Sequence, residues 1–224
     1  MLRADFDRNL KVLQDDLLEL GNLVGLAITQ AMDALKSRDL DASQRIVAED
    51  DVIDQKRFEL EDQCIDLIAT QQPIAIDLRT LMAVLHISVE LERVGDYAEG
   101  IAKVTLMIGD EPVSEPLFDL PLLADKASDM LGRSLDALVF RDAGAAEQVC
   151  QDDDQVDNLY RKVYRELLTH MTRDPKSIRR ATYLLWVAHD LERIADRATN
   201  IAERVIFLVT GKLPKLPEAN ESKY

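Results

Sequence analysis

Asp190-Leu191-Glu192-Arg193-Ile194-Ala195-Asp196 repeats, 100 positions further on, the stretch Glu90-Leu91-Glu92-Arg93-Val94-Gly95-Asp96. That repetition decides the fold. Each copy places two carboxylates four residues apart, Glu92 with Asp96 and Glu192 with Asp196, and on a helix that spacing stacks them on one face, one turn apart. Such a pair repels by about 0.2–0.5 kcal/mol on a wet surface, and by several kcal/mol if drawn towards a core without a counter-charge. The same arrangement in each half of the chain therefore asks for a cation.

Outward from the first copy, Val84, Ile87, Leu91, Val94, Ala98, Ile101, Thr105 and Ile108 alternate by threes and fours, the pattern of a helix with one buried seam. The second copy has Leu184, Val187, Leu191, Ile194, Ala198, Ile201, Val205 and Leu208. Glu92 lies about 100° around the helix from Leu91 and Asp96 about 140°, so the acidic pair borders the buried stripe. An upstream helix carries an anomaly: its seam Ser43, Ile46, Asp50, Ile53, Arg57, Leu60, Cys64, Leu67 drops an aspartate into a core position. The copy does the same with Ala146, Val149, Asp153, Val156, Tyr160, Val163, Leu167. Each of these aspartates has another four residues later, Asp54 and Asp157, so each half offers two acid pairs.

The halves align beyond these motifs. A shift of 103 residues pairs Asp33-Ala34-Leu35 with Asp136-Ala137-Leu138, Arg38-Asp39 with Arg141-Asp142, and Asp50, Asp51 and Asp54 with Asp153, Asp154 and Asp157. The shift then falls to 100, pairing Arg79 with Arg179. A period this long fits a duplicated small domain rather than a solenoid, and short connections make neighbouring helices antiparallel. The fold class is all-α: two tandem, pseudo-symmetric antiparallel three-helix bundles built from six long helices.

Helical periodicity runs from Phe6 to about Arg38, from an Asp39 or Asp41 cap to Gln71 before Pro73, and from about Asp77 to Ile108. The stretch from Gly109 to Pro116, with two prolines and no apolar stripe, reads as a linker. After Pro121 the scheme restarts with helices to about Arg141, from Ala143 to Thr172, and from a break at Asp174-Pro175 to Thr210. The expected organisation is thus residues 1–110 as the first bundle, 111–118 as linker, 119–211 as the second bundle and 212–224 as a flexible tail. Gly21 and Gly25, four apart, suit the close approach of another helix.

Composition excludes several classes. The 224 residues carry 27 Lys and Arg against 42 Asp and Glu, a formal charge of −15, which repels nucleic acid and anionic lipid and attracts metal ions or basic proteins. No apolar leader opens the chain and no apolar run approaches the ~18 residues of a membrane span, so cytoplasmic residence is the expectation. Cys64 and Cys150 are too few for a disulfide framework and read as small buried hydrophobes. Phosphate-loop, nucleophile-elbow and Cys-x-x-Cys motifs are missing from the sequence. His86, His170 and His189 lack a glutamate three residues upstream, so the Glu-x-x-His signature of di-iron bundles is missing too. Trp186, beside a seam position, is expected to pack.

For one acid pair alone, a salt-bridged patch using Arg45, Arg57, Arg79 and Arg93 is the simpler reading. Fourfold occurrence favours metal. All-oxygen ligation suits hard cations such as Mg²⁺, Mn²⁺, Fe or Ca²⁺ better than structural zinc, although carboxylates also bind zinc.

Gln72-Pro73 followed by Asp77-Leu78-Arg79, the run from Glu90 to Asp96, and the run from Asp190 to Asp196 continuing to Asn200-Ile201-Ala202 resemble the PhoU-type regulators of bacterial phosphate uptake. The resemblance spans essentially the whole chain. It implies side-by-side three-helix bundles with multinuclear metal clusters, Fe or Zn with Mn or Mg as further candidates. Their carboxylate motifs map onto Asp50 with Asp54, Glu92 with Asp96, Asp153 with Asp157, and Glu192 with Asp196. Also implied is a non-enzymatic, cytoplasmic, homodimeric adaptor that negatively regulates phosphate uptake and the phosphate-starvation (two-component) response. Its implied partners are the phosphate-transporter ATPase subunit and a sensor histidine kinase, with no nucleic acid and membrane association only through those partners. Two departures stand out: Gly100 where the second unit has Asn200, which leaves the two clusters open to unequal ligand sets, and Ala195 in place of Gly95. The alternatives are a carboxylate-cluster metallohydrolase acting on phosphate esters, and a metal-free helical scaffold whose acids form salt bridges.

Overall fold

The computed structural model of the chain describes residues 3–110 and 117–212. The expected linker and tail fall largely on residues 111–116 and 213–224, outside the described residues. Six long helices account for most of the rest: α1 (Arg3–Ser37), α2 (Leu40–Gln71), α3 (Ile76–Ile108), α4 (Leu120–Phe140), α5 (Ala143–Arg173) and α6 (Ile178–Thr210). Sequence periodicity did not anticipate the 3₁₀ turn at Pro175–Ser177. There Asp174 Oδ1 accepts from Lys176 N at 3.0 Å, and Pro175 sets the first φ. Among the described residues there is no strand, and no helix is long and apolar enough to cross a membrane.

The first turn of each unit is built twice over. Arg38 and Arg141 adopt left-handed φ of 59° and 51°, and the next amide reaches back to the helix, Asp39 N to Ala34 O at 3.1 Å and Asp142 N to Ala137 O at 2.9 Å. This is the six-to-one closure of a Schellman motif, with arginine where glycine is usual. The same aspartates then cap the following helices, accepting from Ala42 N at 2.8 Å and Ala145 N at 3.0 Å. Gly109 and Gly211 end α3 and α6 with φ of 74° and 70°.

Within each unit three antiparallel helices bury the seams read from the sequence. Every seam position of α3 and α6 is buried, Thr105 included. The units lie side by side through α3 and α6, which run antiparallel, with α1 against α4 as a second contact. Leu135 of α4 packs on Gly21, where a Cβ would lie 2.6 Å from its Cδ1, whereas Gly25 faces open space. Only the first of the two glycines serves helix approach.

The α3–α6 seam is polar at four levels, related by the duplication. Glu90 Oε2 accepts from Arg197 Nη1 and Asn200 Nδ2, both at 3.0 Å, and at the matching level Asp190 lies against Gly100. Arg179 Nη2 donates to Met107 O at the end of α3, at 3.4 Å, while Arg79 lies against Gly211 at the end of α6. The arginines paired by the repeat thus each meet the other unit's helix C-terminus, where carbonyl dipoles favour a cation. Asn200 and Gly100 belong to this seam, so the Gly100 departure acts between units rather than by removing a side chain from an acid cluster.

Candidate functional site

Two carboxylate clusters lie in equivalent places, one between α2 and α3, the other between α5 and α6. In the first, Asp50 and Asp54 of α2 meet Glu92 and Asp96 of α3; the first three are half-buried and Asp96 is exposed. Asp153, Asp157, Glu192 and Asp196 are all half-buried, so the second cluster is the deeper. The cause is the seam: Ile46 and Ile53 flank Asp50, Val149 and Val156 flank Asp153, and all four apolar side chains are buried.

In each cluster some of the carboxyls are held above their ordinary range. The Asp50 carboxyl is pushed up to about 6, by burial first and then by Glu99, Asp96 and Asp54, with Lys103 opposing. Burial, and next Asp96 and Asp54, raises Glu92; at the exposed Asp96, partial desolvation by its neighbours, then Asp54 and Glu99, still raises the carboxyl. In the second cluster burial, followed by Asp196 and Asp157, takes Asp153 up to about 6. Glu192 reaches about 7 through burial and Asp196, against the pull of Arg193. Like charges crowded into a partly dry groove hold their protons more tightly.

Basic side chains meet these acids only in part. Arg193 reaches Asp196 Oδ2 at 2.8 Å through Nη1 and Glu192 Oε2 at 3.0 Å through Nε, and Arg161 Nη2 lies 3.1 Å from Asp157 Oδ2. The contact to Glu192 lacks hydrogen-bond geometry, which leaves its buried Oε2 without a donor. As placed, no three His, Cys, Asp or Glu groups among the described residues converge to hold an ion. The donor set nevertheless fits one: hard oxygens, raised proton affinities and an orphaned buried carboxylate oxygen are what a cation would satisfy.

Sequence reasoning missed several members. Glu99 joins the first cluster and is itself paired with Lys103 Nζ at 2.5 Å. Its counterpart Thr199 directs Oγ1 to Asp153 Oδ1 at 3.4 Å. Tyr160 borders the second cluster, its hydroxyl raised by burial and by Glu192, where the first unit has Arg57. Position along the seam placed Arg57 and Tyr160; Glu99, one turn short of Lys103, had the look of an ordinary surface ion pair. His189 Nδ1 stands 4.0 Å from Glu192 Oε2 at the rim, His170 packs edge-on against Phe118 at 5.7 Å, and His86 is exposed. One expectation of burial needs correction. Cys64 is buried but Cys150 only half-buried, with Sγ 4.0 Å from Thr199 O. Trp186 packs on Tyr183 as expected, while remaining 48% exposed.

Comparison with known proteins gives this architecture a family. The PhoU domain profile matches residues 17–105 and 120–205, one match in each unit. The chain belongs to the PhoU family. Among its PhoU relatives, the "phosphate-specific transport system accessory protein PhoU homolog" of Clostridium acetobutylicum is 38% identical, covering 95% of this chain and 97% of its own. The homologue of the same name from Aquifex aeolicus is 35% identical over 93% and 94%. The crystal structure of PhoU from Pseudomonas aeruginosa superposes with a TM-score of 0.88 at 34% identity, covering 92% of this chain and 100% of that one. The phosphate transport system regulatory protein PhoU from Streptococcus pneumoniae gives 0.86 at 33% identity, with 94% and 100% covered.

Proposed function

We propose that this chain is a metal-binding cytoplasmic adaptor, without enzymatic activity, that negatively regulates phosphate uptake and the phosphate-starvation response. The relatives' role as accessory proteins of a phosphate-specific transport system supports the setting. The duplicated acid cluster supports the mechanism, and the observation that carries it is the buried, donor-less Oε2 of Glu192 among Asp153, Asp157 and Asp196.

Asp50, Asp54, Glu92 and Asp96 would hold one metal group, and Asp153, Asp157, Glu192 and Asp196 the other, with Fe or Zn, or else Mn or Mg, as the metal. Bound metal supplies fixed positive charge. The chain's own part is to present ionised carboxylates from two helices at once, so that loading fixes the α2–α3 and α5–α6 surfaces that partners read. Those partners are the transporter's ATPase subunit and the sensor histidine kinase, met by a homodimer of this chain.

The test is regulatory. In a bacterium deleted for its own PhoU and carrying a phosphate-starvation reporter, this chain should restore repression in phosphate-rich medium. The double variant Asp153→Asn/Glu192→Gln, present at equal level and folded, should not. Full repression by that variant, or none by the folded parent chain, would refute the proposal.

A further inference from the structure

The duplication supplies an internal control for every surface, and at one place the two copies are built from opposite chemistry. Between α4 and α5 a groove of about 240 Å³ is lined by Lys126, Asp129, Arg133, Asp152 and Gln155 over Met130 and Val156. These side chains zip it together. Arg133 contacts Asp129 at 2.8 Å and Asp152 at 2.7 Å, Gln155 Nε2 donates to Asp152 at 2.9 Å, and Lys126 Nζ to Gln155 at 3.3 Å.

The equivalent groove between α1 and α2 is larger, about 370 Å³. At the positions 103 residues earlier stand Leu23 for Lys126, Leu26 for Asp129, Gln30 for Arg133, Glu49 for Asp152 and Val52 for Gln155. The ion network is gone and its walls are aliphatic. Leu26 is 54% and Val52 50% exposed. Single exposed apolar residues are ordinary, but apolar residues gathered over a concave site mark an interaction surface. Charge also differs. With Gln30 in place of the guanidinium, no cation among the described residues bridges Glu49, and the groove floor reaches Asp50 and Glu99 beside Gly95. Apolar walls thus end in carboxylates.

We infer that the α1–α2 groove is a docking site for a protein partner that inserts an aliphatic side chain flanked by lysine or arginine. The aliphatic group covers Leu23, Leu26 and Val52, and the neighbouring cation meets Glu49 at the groove's edge, Glu99 on the floor being already paired with Lys103. A partner of this composition also matches the net charge of −15. The inference takes from the adaptor reading only that a protein partner exists, and it needs no metal.

The experiment uses the full chain, kept metal-free with chelator and labelled with ¹³C at Ile, Leu and Val methyls. It is titrated with a capped helical peptide bearing an exposed Leu pair between lysines, and with the same peptide carrying glutamates instead. The lysine peptide should shift the methyls of Leu23, Leu26, Val52 and Ile53, and the glutamate peptide should bind at least tenfold more weakly. Leu23→Lys/Leu26→Asp/Gln30→Arg/Val52→Gln, which gives these four positions the side chains of the twin groove, should abolish the shift of the Ile53 methyl, the groove reporter it retains, while leaving Tm unchanged. Should that variant fail to fold, Leu26→Gln alone should weaken binding at least fivefold. Unmoved groove methyls at millimolar lysine peptide, equal binding of both peptides, or undiminished binding by the folded variant would each overturn the inference. The reporter assay above is unaffected by any of these results, so the two readings fail separately.

Discussion

Gly95 and Ala195, equivalent through the duplication, are matched by a reciprocal change across the helix pair. A Cβ on Gly95 would lie 3.1 Å from Ile53 Cδ1, the methyl that valine lacks, with Ile53 Cγ2 at 3.0 Å and Asp50 Oδ1 at 3.3 Å, whereas the second unit pairs Ala195 with Val156, one methylene smaller than isoleucine. One methyl has moved from helix to helix at constant packing. In the parent chain Ile53→Val should cost about 1 kcal/mol by opening a void. In the Gly95→Ala background the same change should be neutral or stabilising, giving a coupling of about 1 kcal/mol or more in a double-mutant cycle read by urea melts. Strict additivity would show that the two sites do not touch in solution. Asp153 gives a second prediction. Its carboxyl is raised from 3.8 to about 6 by burial, then Asp196 and Asp157, with the Thr199 hydroxyl opposing. The folded chain therefore binds this proton more tightly than the unfolded chain, so metal-free protein loses stability as pH rises from about 4 through about 6. Asp153→Asn removes that loss. In chelator at pH 7.5 it should be more stable than the parent by on the order of 2 kcal/mol, with the difference vanishing near pH 4. A gap that widens in acid would contradict this sign.

Helix ends carry much of the specification. Asp39 and Asp142 each close one turn and open the next helix, so Asp39→Ala and Asp142→Ala should each cost about 1 kcal/mol in denaturant melts. The α3–α6 pair is bound by charge as well as by packing. Glu90 and Arg197 side chains are each only 16% exposed, and Arg197→Met would strand the Glu90 carboxylate with Asn200 and with Arg93 at 3.7 Å. We expect a loss of about 1–3 kcal/mol, a share of which Glu90→Gln in the same chain restores. An unchanged melt for Arg197→Met would mean that the seam is held by its apolar residues alone.

The arrangement of two bundles was legible in the sequence because its evidence is periodic. Seams at threes and fours, aspartates at 50 and 153 breaking those seams, and a repeat length no solenoid uses are all properties of spacing. Features that depend on what lies across a helix interface were not legible. Neither the Ile53–Gly95 exchange, nor Asn200 turning to Glu90, nor the crossed placement of Arg79 and Arg179 leaves a mark in any local window. The acid clusters stand between these cases: periodicity put their carboxylates on facing helix edges, but Glu99 and Thr199 joined only through packing. Metal content of chain prepared without a chelating tag, measured by elemental analysis, bears most directly on what those clusters are for. Both clusters should carry metal, with Asp50→Asn/Glu92→Gln losing one share and Asp153→Asn/Glu192→Gln the other, and chelator lowering Tm of the parent alone or most. Metal-free parent protein, with a Tm indifferent to chelator and to added Fe, Zn, Mn or Mg, would contradict it.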